Sequence, residues 1–231
     1  MFFAFLSSVL FFGTVVVIKT SYAAYPFLTS LDITIPRCIL LPIFSGITAL
    51  VQQRNYFVVP RGTRLVLLGR MVFGTLGMLS YYTALAFLPT NKAVVLFNLT
   101  PIFTGILAAL VLKEKMHWSE YIGVIVAFGG VVLVSLTTAD GESKETHVIG
   151  VVLVILTTIF AAIAFVLMRK VLQTVHFMAI PFYFGLSNGV IILGVFVTWQ
   201  WQRVFAFDQY EPYTVLLLSL VGIGSFLGHT C

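Results

Sequence analysis

Long apolar runs alternate with short charged or turn-rich breaks along the whole chain. A helix needs about 20 apolar residues to cross the hydrocarbon core of a bilayer, and several runs approach that length. None of them shows the two-residue alternation of a membrane barrel strand. The pattern predicts eight helices, numbered 1 to 8, over Phe2–Ile18, Ile33–Val51, Leu65–Leu88, Ala93–Leu112, Tyr121–Leu136, Val148–Met168, Phe177–Trp199 and Tyr213–Cys231.

The composition agrees with a membrane protein and excludes two other classes. Of 231 residues, 60% are hydrophobic and 9% are charged, and the mean hydropathy is +1.07. A soluble domain carries about 25% charged residues, which cover its surface, and a disordered chain is polar. The first apolar run has no basic residue before it and Lys19 directly after it, so a retained helix is favoured over a cleaved signal peptide.

Basic residues between the runs predict the orientation in the membrane. The loops after predicted helices 2, 4 and 6 contain seven Lys and Arg residues, and those after helices 1, 3, 5 and 7 contain four. By the positive-inside rule, the loops after helices 2, 4 and 6 lie in the cytosol together with the N-terminus. The basic residues behind the net charge of +5 are therefore interpreted as setting the topology and contacting anionic lipid. We predict no nucleic-acid partner. The rule does not distinguish the plasma membrane from an endomembrane.

The chain divides at a polar linker into two related halves. The linker covers residues 138–147 and separates residues 1–137 from residues 148–231. When Gly74 of helix 3 is aligned with Gly222 of helix 8, Ser80 aligns with Gly228. A repeated five-helix unit returns inverted, which is the plan of many secondary transporters. On this plan the complete protein has ten helices, of which we expect about eight in this chain. We expect the complete transcript to encode two more apolar runs. A genuine eight-helix protein is the alternative.

Several motifs between Ser80 and Ser135 point to one family. They are a YxALxFLP end to helix 3, a polar start and a central proline in helix 4, an LxxEK-type turn at Glu114, and a closing GGVVLV. This segment resembles the EamA domain of the drug/metabolite transporter superfamily, as do the positions of Lys19 and Arg37. The resemblance implies ten helices in two inverted repeats, a substrate cavity between them, and export or exchange of small metabolites. The absence of the last two helices departs from that pattern.

Two cations and two phenols form one candidate substrate site. Arg37, early in helix 2, and Lys92, at the start of helix 4, are predicted in the outer leaflet, with Tyr81 and Tyr82 at a similar depth. Such a group suits a carboxylate or a phosphate. The alternative is that Arg37 reaches the interface or pairs with Asp32, and that the others belong to the ordinary interfacial belt.

A second candidate site lies at the middle of predicted helix 4. Pro101 cannot donate a backbone hydrogen bond to the carbonyl of Phe97, so a kink is expected there. The freed carbonyl beside Asn98 and Thr100 suits a substrate site near the bilayer midplane. Alternatively, Thr100 and neighbouring helices simply supply the hydrogen bond that this carbonyl lacks, and no solute binds there. Arg70, six residues into helix 3, is a candidate cytoplasmic gate or a topology anchor.

The motifs of enzymes are absent from the sequence. There is no Walker loop, HExxH, GxSxG or CxxC, so we predict no cofactor, no metal site and no catalysis. We expect a secondary transporter of a small anionic or zwitterionic metabolite, working by alternating access of the two halves about the midplane site. A non-transporting, truncated assembly partner or scaffold is the alternative. The packing motif Gly185-x-x-x-Gly189 is equally suited to contacts within one chain and to a homodimer.

Overall fold

The structure is a computed structural model that describes residues 2–24, 30–51, 58–111 and 144–199, together with positions 118, 122–123, 125–126 and 129–130. These residues form helices and connecting turns, with no strand among them. The helices are α1 (Phe2–Ala24), α2 (Ser30–Val51), α3 (Arg64–Phe87), α4 (Thr90–Phe97), α5 (Thr100–Val111), α6 (Lys144–Leu172) and α7 (Ala179–Trp199). A single 3₁₀ turn, Arg61–Thr63, precedes α3.

Four described segments are long and apolar enough to cross a membrane. They are Asp32–Val51, Arg61–Phe87, Thr90–Val111 and Val148–Leu172, and a shorter apolar helix covers Ala179–Gly194. The predicted all-α membrane class is confirmed. The count of eight helices stays a prediction, because Tyr121–Leu136 falls largely, and Tyr213–Cys231 entirely, outside the described residues.

Three helices are longer than the apolar runs that predicted them, and α2 begins at Ser30, three residues before its predicted start at Ile33. Helix α1 continues past Lys19 to Ala24, and the hydroxyl of Ser21 within this extension donates to the carbonyl of Val17 at 2.8 Å, so the polar side chain is accommodated inside the helix. Helix α6 begins at Lys144, inside the predicted linker of residues 138–147. Polar residues at a helix end do not contribute to an apolar run, so the pattern marked the membrane-crossing part and missed the extensions.

The first of two compact units contains α1, α2 and α7, and comprises residues 1–64 and 172–231. Helices α2 and α7 pack antiparallel, since Gly189 approaches Cys38 whereas Gly185 lies against Pro42, further along α2. A Cβ at Gly185 would lie 2.7 Å from Cγ of Pro42, so glycine permits this close approach. The buried side chains recur at intervals of four or seven residues, which places them on one face of each helix: Thr34, Leu41, Ser45 and Ala49 in α2, and Ile180, Phe184, Asn188 and Ile192 in α7.

The second unit comprises residues 65–171 and is built on an antiparallel pair, α3 and α6. A Cβ at Gly77 would lie 3.3 Å from Cβ of Phe160. Near the other end of the pair, a Cβ at Gly150 would lie 2.5 Å from Cγ of Leu88, which is wholly buried. At both glycines, therefore, a larger residue would fit only if the neighbouring atoms moved away.

A short connection leads from this pair to the interrupted span Thr90–Val111. Only Leu88 and Pro89 join α3 to α4, and Pro89 has the extended backbone (φ −64°, ψ 144°) that ends one helix before the next begins. Predicted helix 4, written as one run over Ala93–Leu112, is two helices in the structure. The interruption falls at Asn98 and Leu99, and it organises the candidate site.

Candidate functional site

The helix interruption at Asn98 and Leu99 follows from the chemistry of Pro101. A proline nitrogen carries no hydrogen, so the carbonyl of Phe97 has lost its usual helical donor. The hydroxyl of Thr100 donates to that carbonyl at 2.5 Å. Pro101 then occupies the first turn of α5, where proline is well tolerated. Thr100 therefore stabilises the break itself, which agrees with the structural alternative for this residue.

The two residues at the break differ in their exposure. Asn98 ends α4, its backbone N–H donates to the carbonyl of Val94 at 3.0 Å, and the residue is exposed. Leu99 is buried, and its carbonyl accepts from the N–H of Ile102 at 3.0 Å. The break therefore presents an amide side chain on one side of the span and packs an apolar side chain on the other.

Tyr81 brings helix α3 to the break. Its ring centroid lies 4.9 Å from that of Phe97, the residue directly before Asn98, and Tyr81 is only 3% exposed. Tyr82 is also buried, and its ring centroid lies 6.5 Å from that of Tyr81. The structure thus connects the phenols with the helix break, two groups that the sequence had assigned to separate sites. Phe97 had not been predicted, since one phenylalanine among 22 carries no distinguishing signal.

Lys92 lies on the buried face of α4. The residue is 6% exposed and shares that face with Ala93 and Leu96. Its backbone N–H donates to the side-chain oxygen of Asn91 at 2.9 Å, in the first turn of the helix. An ammonium group in such surroundings interacts with an approaching anion much more strongly than it would in water. The location differs from the solvated interfacial belt, which was the alternative interpretation of this lysine.

Arg37 belongs to the first unit and interacts with α7. Its guanidinium carbon lies 5.4 Å from the ring centroid of the buried Phe184. This is the geometry of a cation–π contact, which stabilises the charge of a guanidinium without using its N–H donors. The predicted helix began at Ile33, but α2 begins at Ser30, so Arg37 lies two turns inside the helix and deeper than was predicted. Phe184 had not been predicted as a partner, because no local pattern connects two helices so far apart along the chain.

Arg70, the candidate gate, is packed into the second unit. It is 5% exposed, and one of its terminal nitrogens lies 3.9 Å from Sδ of Met168 on α6. A Cβ at the neighbouring Gly69 would lie 3.2 Å from Cδ1 of Leu167, so the leucine side chain packs directly against this glycine. The burial does not fit a residue that merely anchors the helix end at the membrane surface. The role as a gate stays a prediction.

Within the described residues, no group of three or more His, Cys, Asp or Glu side chains is arranged to hold a metal ion. The polar groups at the break and on α4 are an ammonium, phenols, a hydroxyl and an amide. These groups bind and orient a solute by charge and hydrogen bonds. Together with the apolar spans, they define an α-helical membrane protein with buried polar groups along an interrupted span.

Comparison with known proteins assigns the family. Residues 1–136 match the model of the EamA-like transporter family, and the chain belongs to that family. The predicted resemblance is confirmed. A solved crystal structure shares the fold with a TM-score of 0.65 at 14% sequence identity, and the similarity covers 96% of this chain and 76% of that one.

The curated relatives are solute carriers and transporters. The chain is 30% identical to solute carrier family 35 member G1 of Mus musculus, across 84% of this chain and 55% of the relative. It is 29% identical to the pseudopaline exporter CntI of Pseudomonas aeruginosa (strain UCBPP-PA14), across 71% and 54%, respectively. It is 27% identical to an S-adenosylmethionine uptake transporter of Rickettsia prowazekii, across 82% and 58%. The chain therefore spans somewhat more than half the length of these relatives.

Proposed function

We propose that this chain acts in secondary transport of a small anionic or zwitterionic metabolite by alternating access, and that it is not an enzyme. One observation carries the proposal: the contact between Tyr81 and Phe97, which joins a buried phenol to the break at the middle of the span Thr90–Val111. Lys92, buried on the preceding helix, supplies positive charge to the same span. Interrupted helices near the midplane are where many transporters bind their solutes.

The relatives support transport but differ in its direction. One is named an exporter and another an uptake transporter. We therefore propose export or exchange on the basis of the family resemblance, with the direction left to the solute gradients. Since these relatives are named as a solute carrier, an exporter and an uptake transporter, we infer transport rather than catalysis.

The packing of α2 against α7 supports inverted repeats. The contacts between them run from Cys38 to Pro42 in α2 and from Gly185 to Gly189 in α7, and the centres of these two stretches, residues 40 and 187, are 147 positions apart. The independent alignment of Gly74 with Gly222 has an offset of 148. Two equivalent helices of an inverted repeat that pack on each other must run antiparallel, as α2 and α7 do. On this basis we propose halves of 1–137 and 148–231 and eight helices present of ten, and from the charges of the loops we propose a cytosolic N-terminus.

Arg37 is proposed as a second contact for an anionic solute. Its guanidinium is held by Phe184 inside the membrane-spanning part of α2. A guanidinium binds carboxylate or phosphate oxygens through paired N–H donors. We propose that Arg37 and Lys92 attract the solute, that Tyr81, Tyr82, Asn98 and Thr100 surround it at the break, and that Arg70 acts as a gate.

The test is solute uptake into proteoliposomes that contain the 231-residue chain. The probes are radiolabelled succinate, inorganic phosphate and alanine, with sorbitol as the neutral comparison. Lys92→Gln and Arg37→Gln should each lower uptake of the preferred probe at least tenfold, since the first removes a buried positive charge and the second a half-buried one. Lys19→Gln, a charge removed near the end of α1, is the matched control and should leave uptake unchanged.

Two results would overturn the proposal. Uptake of sorbitol equal to that of every charged probe would exclude an anionic or zwitterionic solute. Unchanged uptake and unchanged apparent affinity in both the Lys92 and Arg37 variants would exclude these cations from the site.

A further inference from the structure

We propose that Ser45 of α2 lines the solute pathway and is sealed in this conformation, and that its hydroxyl gains water or a polar group of the solute as its partner when α2 and α7 part. The inference rests on the proposed function, because it requires a second conformation of the transport cycle. It concerns the first unit alone, in which Ser45 is 0% exposed.

The hydroxyl of Ser45 differs from the other buried serine and threonine hydroxyls of the described residues. Each of these others donates to a backbone carbonyl three or four residues earlier: Ser21, Thr34, Thr75, Thr100, Thr157 and Thr158. Within the same part of the chain, Oγ of Ser45 has no hydrogen-bond partner. A buried hydroxyl without a partner disfavours the conformation that contains it by roughly tenfold. A conformation that hydrates Ser45 gains this factor.

Close packing of α2 against α7 does not require the hydroxyl. Ser45 lies one turn beyond Leu41, whose Cβ would be 3.0 Å from a Cβ at Gly185 of α7. One turn further along, the same face of α2 carries the buried Ala49. Alanine is small enough for this face, favours a helix more than serine does, and buries no polar group. A hydrogen-bond partner in another conformation gives a reason for a serine here.

The backbone of α2 provides a place at which Ser45 can move relative to α7. Pro42, three residues before Ser45, lies in the interior of α2. Because a proline has no N–H, the carbonyl of Cys38 lacks its usual helical donor. Helices bend most readily at such positions. A bend there moves Ser45 together with the C-terminal part of α2 and leaves the earlier part in place.

Ser45 extends the polar positions of the first unit along the membrane-crossing part of α2. It lies eight residues after Arg37 in the span Asp32–Val51, which is about 12 Å along the helix axis. Asn188 of α7, also wholly buried, lies one turn after Phe184, the residue against the Arg37 guanidinium. On this proposal, a solute that leaves Arg37 meets a further hydrogen-bonding group within the same unit.

Solute uptake into proteoliposomes and thermal unfolding of the 231-residue chain test the proposal together. Ser45→Ala should raise the unfolding temperature, because it removes a buried hydroxyl that has no partner. It should also lower uptake of the preferred probe among succinate, phosphate and alanine roughly tenfold, because it favours the sealed conformation. A raised half-saturation concentration would identify the solute as the partner, and a lowered maximal rate alone would identify water.

Ser21→Ala is the matched control in the same unit. It makes the same substitution at a buried serine whose hydroxyl already donates to the carbonyl of Val17. Uptake by this variant should equal that of the unmodified chain, and its unfolding temperature should lie below that of Ser45→Ala.

Thiol labelling in proteoliposomes tests the opening directly. Cys38→Ala and Cys231→Ala remove both cysteines of the chain, and Ser45→Cys then supplies its single thiol. A charged methanethiosulfonate reagent should modify this thiol faster than that of Ile47→Cys, although Ile47 is 50% exposed and Ser45 is wholly buried. An exposed side chain within the span contacts lipid, which excludes a charged reagent, whereas an opened pathway admits it with water.

Three outcomes would overturn the proposal: unchanged uptake by Ser45→Ala, a lowered unfolding temperature of that variant, or labelling of Ser45→Cys no faster than that of Ile47→Cys. If Cys38→Ala prevented folding, the comparison of Ser45→Ala with Ser21→Ala would decide alone. An active chain whose uptake is indifferent to Ser45→Ala would refute this inference and leave the proposed function standing. A chain that takes up none of the probes would refute both.

Discussion

Replacement of Gly185 by alanine tests the packing of α2 against α7. The added Cβ would lie 2.7 Å from Cγ of Pro42, whereas carbon atoms in contact are about 3.5–4.0 Å apart. The proline ring is fixed to its own backbone and has no rotamer that moves it away, so the helices must separate by about 1 Å. Overpacking of this kind costs roughly 1–3 kcal/mol.

Alanine also has an opposing effect, which the controls measure. Alanine is favoured over glycine in a helix interior by up to about 1 kcal/mol. At Gly194 a Cβ meets no atom within 4 Å, so Gly194→Ala reports that gain alone. At Gly189 the nearest atom is Cβ of Cys38 at 3.9 Å, an ordinary contact, so Gly189→Ala should be tolerated. We expect Gly185→Ala to be less stable than both controls by about 2 kcal/mol.

Thermal unfolding of the detergent-solubilised variants provides the measurement. A difference of about 2 kcal/mol corresponds to roughly 4–8 °C for a chain of this size. Pro42→Ala removes the ring that Gly185→Ala meets, so the double variant should recover most of the lost stability, which is a negative coupling between the two sites. Equal unfolding temperatures for Gly185→Ala and Gly189→Ala, or no recovery in the double variant, would refute this account of the contact.

Two further substitutions address the candidate site, both measured by thermal unfolding. Thr100→Val should lower the free energy of unfolding by about 1–3 kcal/mol, because the carbonyl of Phe97 loses its hydroxyl donor. The control Thr104→Val should cost less, since its hydroxyl bonds to a carbonyl within a regular helix. Equal losses in the two variants would contradict this account. Phe184→Leu should lower the free energy of unfolding by about 0.5–2 kcal/mol, whereas Phe184→Tyr keeps an aromatic ring and should change it little. If the cation–π contact is responsible, this difference between the two variants should vanish when Arg37 is replaced by Met.

The helical class could be predicted from the sequence because the membrane imposes one requirement on every crossing segment. A backbone in lipid must satisfy its own hydrogen bonds, so a long apolar run is a helix. The same rule explains the errors at the helix ends. Polar residues such as Ser21 continue α1 by bonding back to the preceding turn, and apolar length does not detect them. Lys19 therefore lies within the helix instead of ending it.

The helix break was predictable to within three residues, and its surroundings were not. Pro101 predicts a disturbance of the helix because it lacks an N–H, and the interruption falls at Asn98 and Leu99. The position of Tyr81 against Phe97 depends on how α3 packs on α4, which is information about tertiary contacts. Burial of Lys92 likewise depends on neighbouring helices, so the same lysine could be interpreted from sequence as interfacial.

The contacts within the second unit indicate where a transport cycle would find flexibility. Helix α6 packs against Gly77 of α3, and its own Gly150 packs against the Leu88 side chain directly after α3, so separation or sliding would disturb close contacts at both places. The span Thr90–Val111 is different, because at its middle the backbone ladder is interrupted and the Phe97 carbonyl relies on a side-chain hydroxyl. A hydroxyl can exchange one acceptor for another at much lower cost than a helix can lose a backbone bond. If the chain transports by alternating access, bending at Asn98 and Leu99 would disturb no regular helical hydrogen bond to the Phe97 carbonyl, and it would occur beside the phenol and the cation that would hold the solute.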